Sequence, residues 1–404
     1  MQQETRIKAP RTRAGIAYAV IAGMLCSALS PAAFAAPRDQ AKRIHDRLVG
    51  TPPSEATLNQ MAALITSTND TVGALAAANL AIDRNRIESS PFYNVTLKNF
   101  ATPWTNEEQT VFAPLNDYTA TVIGMVRDDV PFNTVLSDDI LYTASSPGAP
   151  AYSPANNDHY SYLEDNHVDL RSALQQTTQS SLTGLPPAAT AGVITTRAAS
   201  QAFFILGTNR AMFRFTMLNH MCRDLEQVHD TSRPTDRIRQ DVSRSPGGDS
   251  RLFLNNCVGC HSGMDPMAQA FAYYNFDEAS GRLVYTPGQV QPKYLINSDN
   301  FKTGFVTPDD HWDNYWRSGQ NALLGWSPSL PGRGQGAKSL GQELANSDAF
   351  AQCQVEKVFR NVCFRSPSDA SDRGEVQRIV GVFKNGNYSL KRVFAETAVY
   401  CRGE

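Results

Sequence analysis

Five consecutive residues, Cys257-Val258-Gly259-Cys260-His261, constrain this chain more than any other stretch. Two thiols bracket two residues, and a histidine follows at once. That is the attachment signature of c-type haem. Each thiol adds to one haem vinyl group, and the two-residue gap matches the distance between the vinyls. The next residue then lies under the porphyrin face, where an imidazole can ligate iron. A zinc half-site would want a second ligand pair at similar spacing, and none follows. A thioredoxin-like dithiol would sit between a strand and a helix of a βαβ unit, a pattern this stretch lacks. A structural disulfide and a chance match are the remaining alternatives. The expectation is one covalent haem c held by Cys257 and Cys260, with His261 as the proximal iron ligand.

Haem is attached outside the cytoplasm, and the N-terminus fits that requirement. Arg6, Lys8, Arg11 and Arg13 precede an apolar run from about Ile16 to Leu29, and Ala33-Phe34-Ala35 suits a small-x-small cleavage rule. Residues 1–35 therefore read as a signal peptide cleaved near Ala35, and the mature protein as periplasmic or secreted. The run is short for a retained anchor. Losing Arg6, Lys8, Arg11, Arg13 and Glu4 lowers the basic count from 37 to 33 and the acidic count from 39 to 38, a net charge of −5. That balance argues against nucleic acid as a partner. With no second long apolar run, no integral membrane segment is expected after signal removal.

The rest of the chain reads as mainly α: helical domains around one haem, long irregular loops, a small β-hairpin and a C-terminal three-helix unit. The expected segments are an N-terminal helical region (36–145), a central helical domain (146–250), a haem-binding domain (251–345) and the three-helix domain (346–404). Ser54, Ser347 and Ser389 stand where helix caps are wanted. A long helical pattern over 196–221 breaks near Gly207. Residues 283–290 resemble a hairpin, and residues 298–345, with Trp312, Trp316 and Trp326, read as irregular chain that could wrap a flat cofactor or pack on itself. His159, Glu164, Asp165, His167 and Asp169 read as solvated surface.

Four cysteines remain after haem attachment, with three possible pairings. If the last three helices run up-down-up, Cys363 and Cys401 lie at the same end. The expectation is Cys363–Cys401 and, by elimination, Cys222–Cys353.

The far side of the iron is less constrained. Met264 and Met267 follow His261 too closely to pass around the haem edge, and read as haem-packing residues. His311 is the only later histidine and is the candidate distal ligand. Met212, Met217, Met221, His220 and His229 precede the motif and could return over the ring, and five-coordinate iron is a further option.

Met264-Asp265-Pro266 after the haem motif, then Asn275-Phe276-Asp277 and Gly281-Arg282, resembles the haem-bearing domain of planctomycete-type cytochrome c proteins. Upstream, Arg127-Asp128-Asp129-Val130-Pro131-Phe132 and Gly207-Thr208-Asn209-Arg210 fall where that family has similar segments, and Phe350-Ala351-Gln352-Cys353 resembles its closing domain. The resemblance spans roughly residues 110–404. It implies an exported, haem-carrying, mainly helical protein and names no substrate. The function expected is single-electron transfer with an unidentified periplasmic redox partner protein. The alternatives are a haem enzyme of peroxidase or oxidase type with open iron, and a module in which haem is structural.

Overall fold

The computed structural model describes residues 35–67, 70–205, 207–239, 242, 250–295 and 304–403. The expected signal peptide, apart from Ala35, lies outside the described residues, as does Leu206. The chain opens with α1 (Pro37–Val49), α2 (Glu55–Ser67) and α3 (Asp70–Ala81). Pro37 begins α1, where a missing N–H is harmless, and Gly50 ends it at φ 78°. Ser54 Oγ accepts from the Thr57 amide at 3.2 Å, capping α2 as expected. Ile44, Leu48, Met61 and Ile65 are buried between these helices.

After short helical turns over residues 87–105, α4 (Asp117–Asp128) runs through the core, capped by Asn116 and closed by Asp129 at φ 58°. Two strands, β1 (Leu141–Ala144) and β2 (Leu174–Thr177), pair antiparallel beside it. The helical pattern of 196–221 divides as expected, into α5 (Arg197–Phe203) and α6 (Arg210–Met221). Asn209 makes the break at φ 59°, and its amide donates to the Phe271 and Tyr274 carbonyls at 2.9 Å each.

Helix α7 (Val258–Ala268) carries the haem motif from Val258 onward. The hairpin that follows lies one strand earlier than expected: β3 (Tyr274–Asp277) pairs with β4 (Arg282–Tyr285). Its turn is set by Asp277, whose carboxylate accepts from the Ser280 amide at 3.1 Å, and by Gly281 at φ 67°. Lys293 secures the chain beyond the hairpin, its Nζ donating to the Phe204 carbonyl at 2.6 Å.

A third antiparallel pair, β5 (His311–Asp313) with β6 (Arg333–Gln335), leads into α8 (Gly336–Ala345), a helix in the stretch expected to be irregular. Two glycines conceal it in the sequence. Gly341 serves close packing: a Cβ there would lie 1.8 Å from the Leu136 carbonyl oxygen. Trp312 and Trp316 are buried in the core, so this region is packed by its own indoles.

The last unit matches the expected triplet: α9 (Asp348–Cys363), α10 (Ala370–Asn385) and α11 (Leu390–Tyr400). Ser347 and Ser389 cap α9 and α11 through the Phe350 and Arg392 amides. Cys363 and Cys401 form a disulfide pair, with Cα atoms 5.6 Å apart, and Cys222 and Cys353 form the other at 5.3 Å. Helix α11 also packs on α1 and α3, and Phe394 meets Phe92 and Phe100 edge-on. One hydrophobic cluster therefore includes residues from Ala41 to Val399. The fold is mainly α with small two-stranded sheets, and no described helix is long and apolar enough to cross a membrane.

The expected surface cluster near residue 160 is corrected in part. His159 is buried; its Nε2 accepts from the Ala144 amide at 3.1 Å and its Nδ1 donates to the Pro150 carbonyl at 2.7 Å. Glu164 pairs with Lys98 and accepts from the Leu115 amide. His159 thus secures the end of β1, and Glu164 joins Lys98 to the Leu115 backbone.

Replacing Gly341 by alanine forces its tight contact apart and is expected to destabilise by roughly 1–3 kcal/mol. Gly381→Ala, in α10 with open space around it, is expected to stabilise by roughly 0.5–1 kcal/mol. Urea unfolding of the two variants checks the contrast. Burial lowers the Lys293 amine to about 8. Between that value and the ordinary lysine range the unfolded chain binds more protons, so wild-type stability relative to Lys293→Met rises with pH across about 8 to 10.4. Paired denaturation curves over that window measure it.

Candidate haem-attachment site

The site is built on the start of α7. A wide helical turn, Phe253–Cys257, feeds directly into it. Cys257, His261 and Asp265 are successive i, i+4 positions, so they share one side of the helix, with Cys260 beside them. Cys257 and Cys260 are both half-buried free thiols, whereas Cys222, Cys353, Cys363 and Cys401 are paired. The Cys260 thiol faces the Leu225 carbonyl at 3.5 Å. Burial, then the charges of Glu226, Cys257 and Asp224, pushes this thiol up. Among the described residues no group of three or more His, Cys, Asp or Glu is placed to hold a bare metal ion. Haem attachment asks for less: two thiols and one axial imidazole.

Asp265 organises the imidazole. Its carboxylate is fully buried and accepts from His261 Nδ1 at 3.1 Å. Arg210 grips the same carboxylate with two hydrogen bonds, Nε to Oδ1 at 2.8 Å and Nη2 to Oδ2 at 3.0 Å. The Arg239 amide reaches Oδ2 at 3.3 Å, and its guanidinium lies 3.6 Å from Oδ1. Burial alone would raise this carboxyl, but the Arg210 and Arg239 charges hold it well below the usual carboxylate range. An ionised Asp265 accepts the Nδ1 proton, which fixes the tautomer and leaves the His261 Nε2 lone pair available.

The opposite side of α7 is closed by backbone contact. Gly259 and Gly263 are an i, i+4 pair about 200° from His261 and Asp265 around the helix. A Cβ at Gly259 would strike the His229 ring at 2.3 Å, and one at Gly263 would strike Trp316 Nε1 at 1.9 Å. The first turn is also tied from outside: the Asp230 amide donates to the Gly259 carbonyl at 2.9 Å, and Ser262 Oγ donates to the Asp230 carbonyl at 3.0 Å. Apolar surface adjoins the thiols. Val258 and Phe253 pack with Ile238 and Val242 against Cys257, and Leu252 and Leu254 are 45% and 57% exposed just before the motif.

Met264 and Met267, on α7 itself, are buried in the main core, as are Met212, Met217 and Met221. His220 is buried and bonded through Nε2 to the Tyr118 hydroxyl at 2.6 Å. His229 rests on the glycine side of α7. His311, on β5, is 40% exposed and its Nε2 lies 3.5 Å from Asp313. Arg237 joins the His311 carbonyl to Gln269, two turns past His261 and about 12 Å along the helix. His311 is thus placed at the far end of the motif helix rather than at His261. Sequence reasoning missed Arg210 and Arg239. Their signal was present only as the i, i+4 spacing of His261 and Asp265 on one helix face, which names an acceptor but not its partners.

No family model, curated protein or solved structure matches this chain.

Asp265→Ala removes the carboxylate that faces both guanidiniums and the imidazole. It is expected to cost roughly 3–5 kcal/mol in the haem-free chain, read from the urea midpoint. A change below 1 kcal/mol would contradict the central role assigned to this carboxylate.

Proposed function

We propose that this chain is an exported monohaem c-type cytochrome, of the planctomycete-type family it resembles, that passes single electrons between periplasmic partners. The observation that carries the reading is the His261–Asp265 hydrogen bond. It presents Nε2 as a ligand beside two free thiols at attachment spacing, next to exposed apolar side chains. These residues fit haem c; when bound, it would supply a one-electron iron couple.

The chain's own part is positional. Cys257 and Cys260 would hold the ring by its edge, and Leu252 and Leu254 offer apolar surface to cover. Asp265 orients the imidazole and holds its Nδ1 proton. Arg210 and Arg239 engage the same carboxylate and hold it in place against the imidazole. The glycine side of α7, packed by His229 and Trp316, keeps the helix from shifting. A ligand held this firmly suits electron transfer, because little needs to move when the charge changes.

A second reading, a haem enzyme with an open iron position, is favoured by one observation. The methionines and histidines considered for the far side of the iron are engaged in the core, on the glycine side or at the far end of α7. The reduced optical spectrum of protein matured with covalent haem separates the two readings. Electron transfer predicts a sharp α band unchanged by carbon monoxide. A broad high-spin spectrum that shifts with carbon monoxide would overturn it in favour of the enzyme.

A further inference from the structure

An open cleft of about 600 Å³ lies between the 97–105 turns, α6 and α9. Lys357 and Arg360, one turn apart on α9, both line it, together with Phe100, Pro103, Trp104 and Leu218. Neither cation has a carboxylate partner among the described residues. Lys357 Nζ sits 4.0 Å from the Trp104 ring centroid and donates to the Asn219 carbonyl near the end of α6. That contact places a cation at a helix C-terminus, a favourable position, but it uses one of three ammonium donors. Arg360 is exposed, and among the described residues its one hydrogen-bond contact is to Cys222 Sγ at 3.9 Å. Burial and the neighbouring Arg360 charge pull the Lys357 amine well below its usual value. Lys357 is half-buried, and an anion seated between it and Arg360 would favour its ammonium form.

We propose that this cleft binds a small organic carboxylate. The planar Arg360 fork and the Lys357 ammonium match the carboxylate group, and Phe100, Pro103, Trp104 and Leu218 offer an apolar wall for a carbon body. The volume falls within the range of small-molecule sites. The proposal does not rest on the haem reading, since no residue of the motif lines the cleft.

Calorimetric titration of the purified full chain with benzoate and with hexanoate tests this. At least one probe is expected to bind saturably, with affinity lowered about tenfold or more by Arg360→Gln and abolished by Lys357→Met. Arg360 is exposed, so its variant keeps the test valid even if Lys357→Met fails to fold. Inorganic phosphate at equal concentration is not expected to displace the probe. Failure of both probes to saturate, undiminished affinity in Arg360→Gln, or equal displacement by phosphate would each overturn the proposal.

Discussion

The buried carboxylate of Asp265 is the interaction on which the site depends. A lone carboxylate in that position would be expelled or neutralised. It is retained because Arg210 comes from the helix after the Asn209 break, Arg239 comes from the segment before the motif, and His261 lies one turn earlier on the same helix. Three separate stretches of chain thus converge on two oxygens. Breaking the helical pattern at Asn209 is what aims Arg210 at α7, and the same asparagine amide secures the chain leaving α7 at Phe271 and Tyr274.

The motif helix is accordingly two-sided. One side carries Cys257, His261 and Asp265. The other is almost bare backbone at Gly259 and Gly263, against which His229 and Trp316 are pressed. Glycine weakens a helix by roughly 1 kcal/mol per position, so two in one short helix need a packing reason, and these contacts supply it. The surrounding fold is stapled at both ends of α9: Cys353 ties its beginning to α6, and Cys363 ties its end to α11.

Much of this was legible in the sequence. The mainly helical class, the break near Gly207, the caps at Ser54, Ser347 and Ser389, and both cysteine pairings follow from local pattern and from the parallel run of two helices. Other features depend on distant partners that no local pattern encodes. Helix α8 was hidden because Gly341 lowers propensity, and its reason, the Leu136 carbonyl, lies 205 residues away. The hairpin lies one strand earlier than local pattern suggests because its turn is made by an aspartate–serine contact before Gly281, while the more obvious Pro287-Gly288 lies beyond it. His159 looked solvated because nothing in its neighbourhood announces that it bonds the end of β1. At the site, the thiols and imidazole were readable, whereas Arg210 and Arg239 were visible only once the chain was folded.

The proposed function stands on covalent haem at Cys257 and Cys260 with His261 as its iron ligand. The intact mass of the chain, exported in a host that matures c-type cytochromes, tests it most directly. A species heavier by one haem is expected, with neither thiol open to alkylation, and loss of that increment in Cys257→Ala with Cys260→Ala. A mature chain with no added haem, in cells that load another c-type cytochrome, would contradict it.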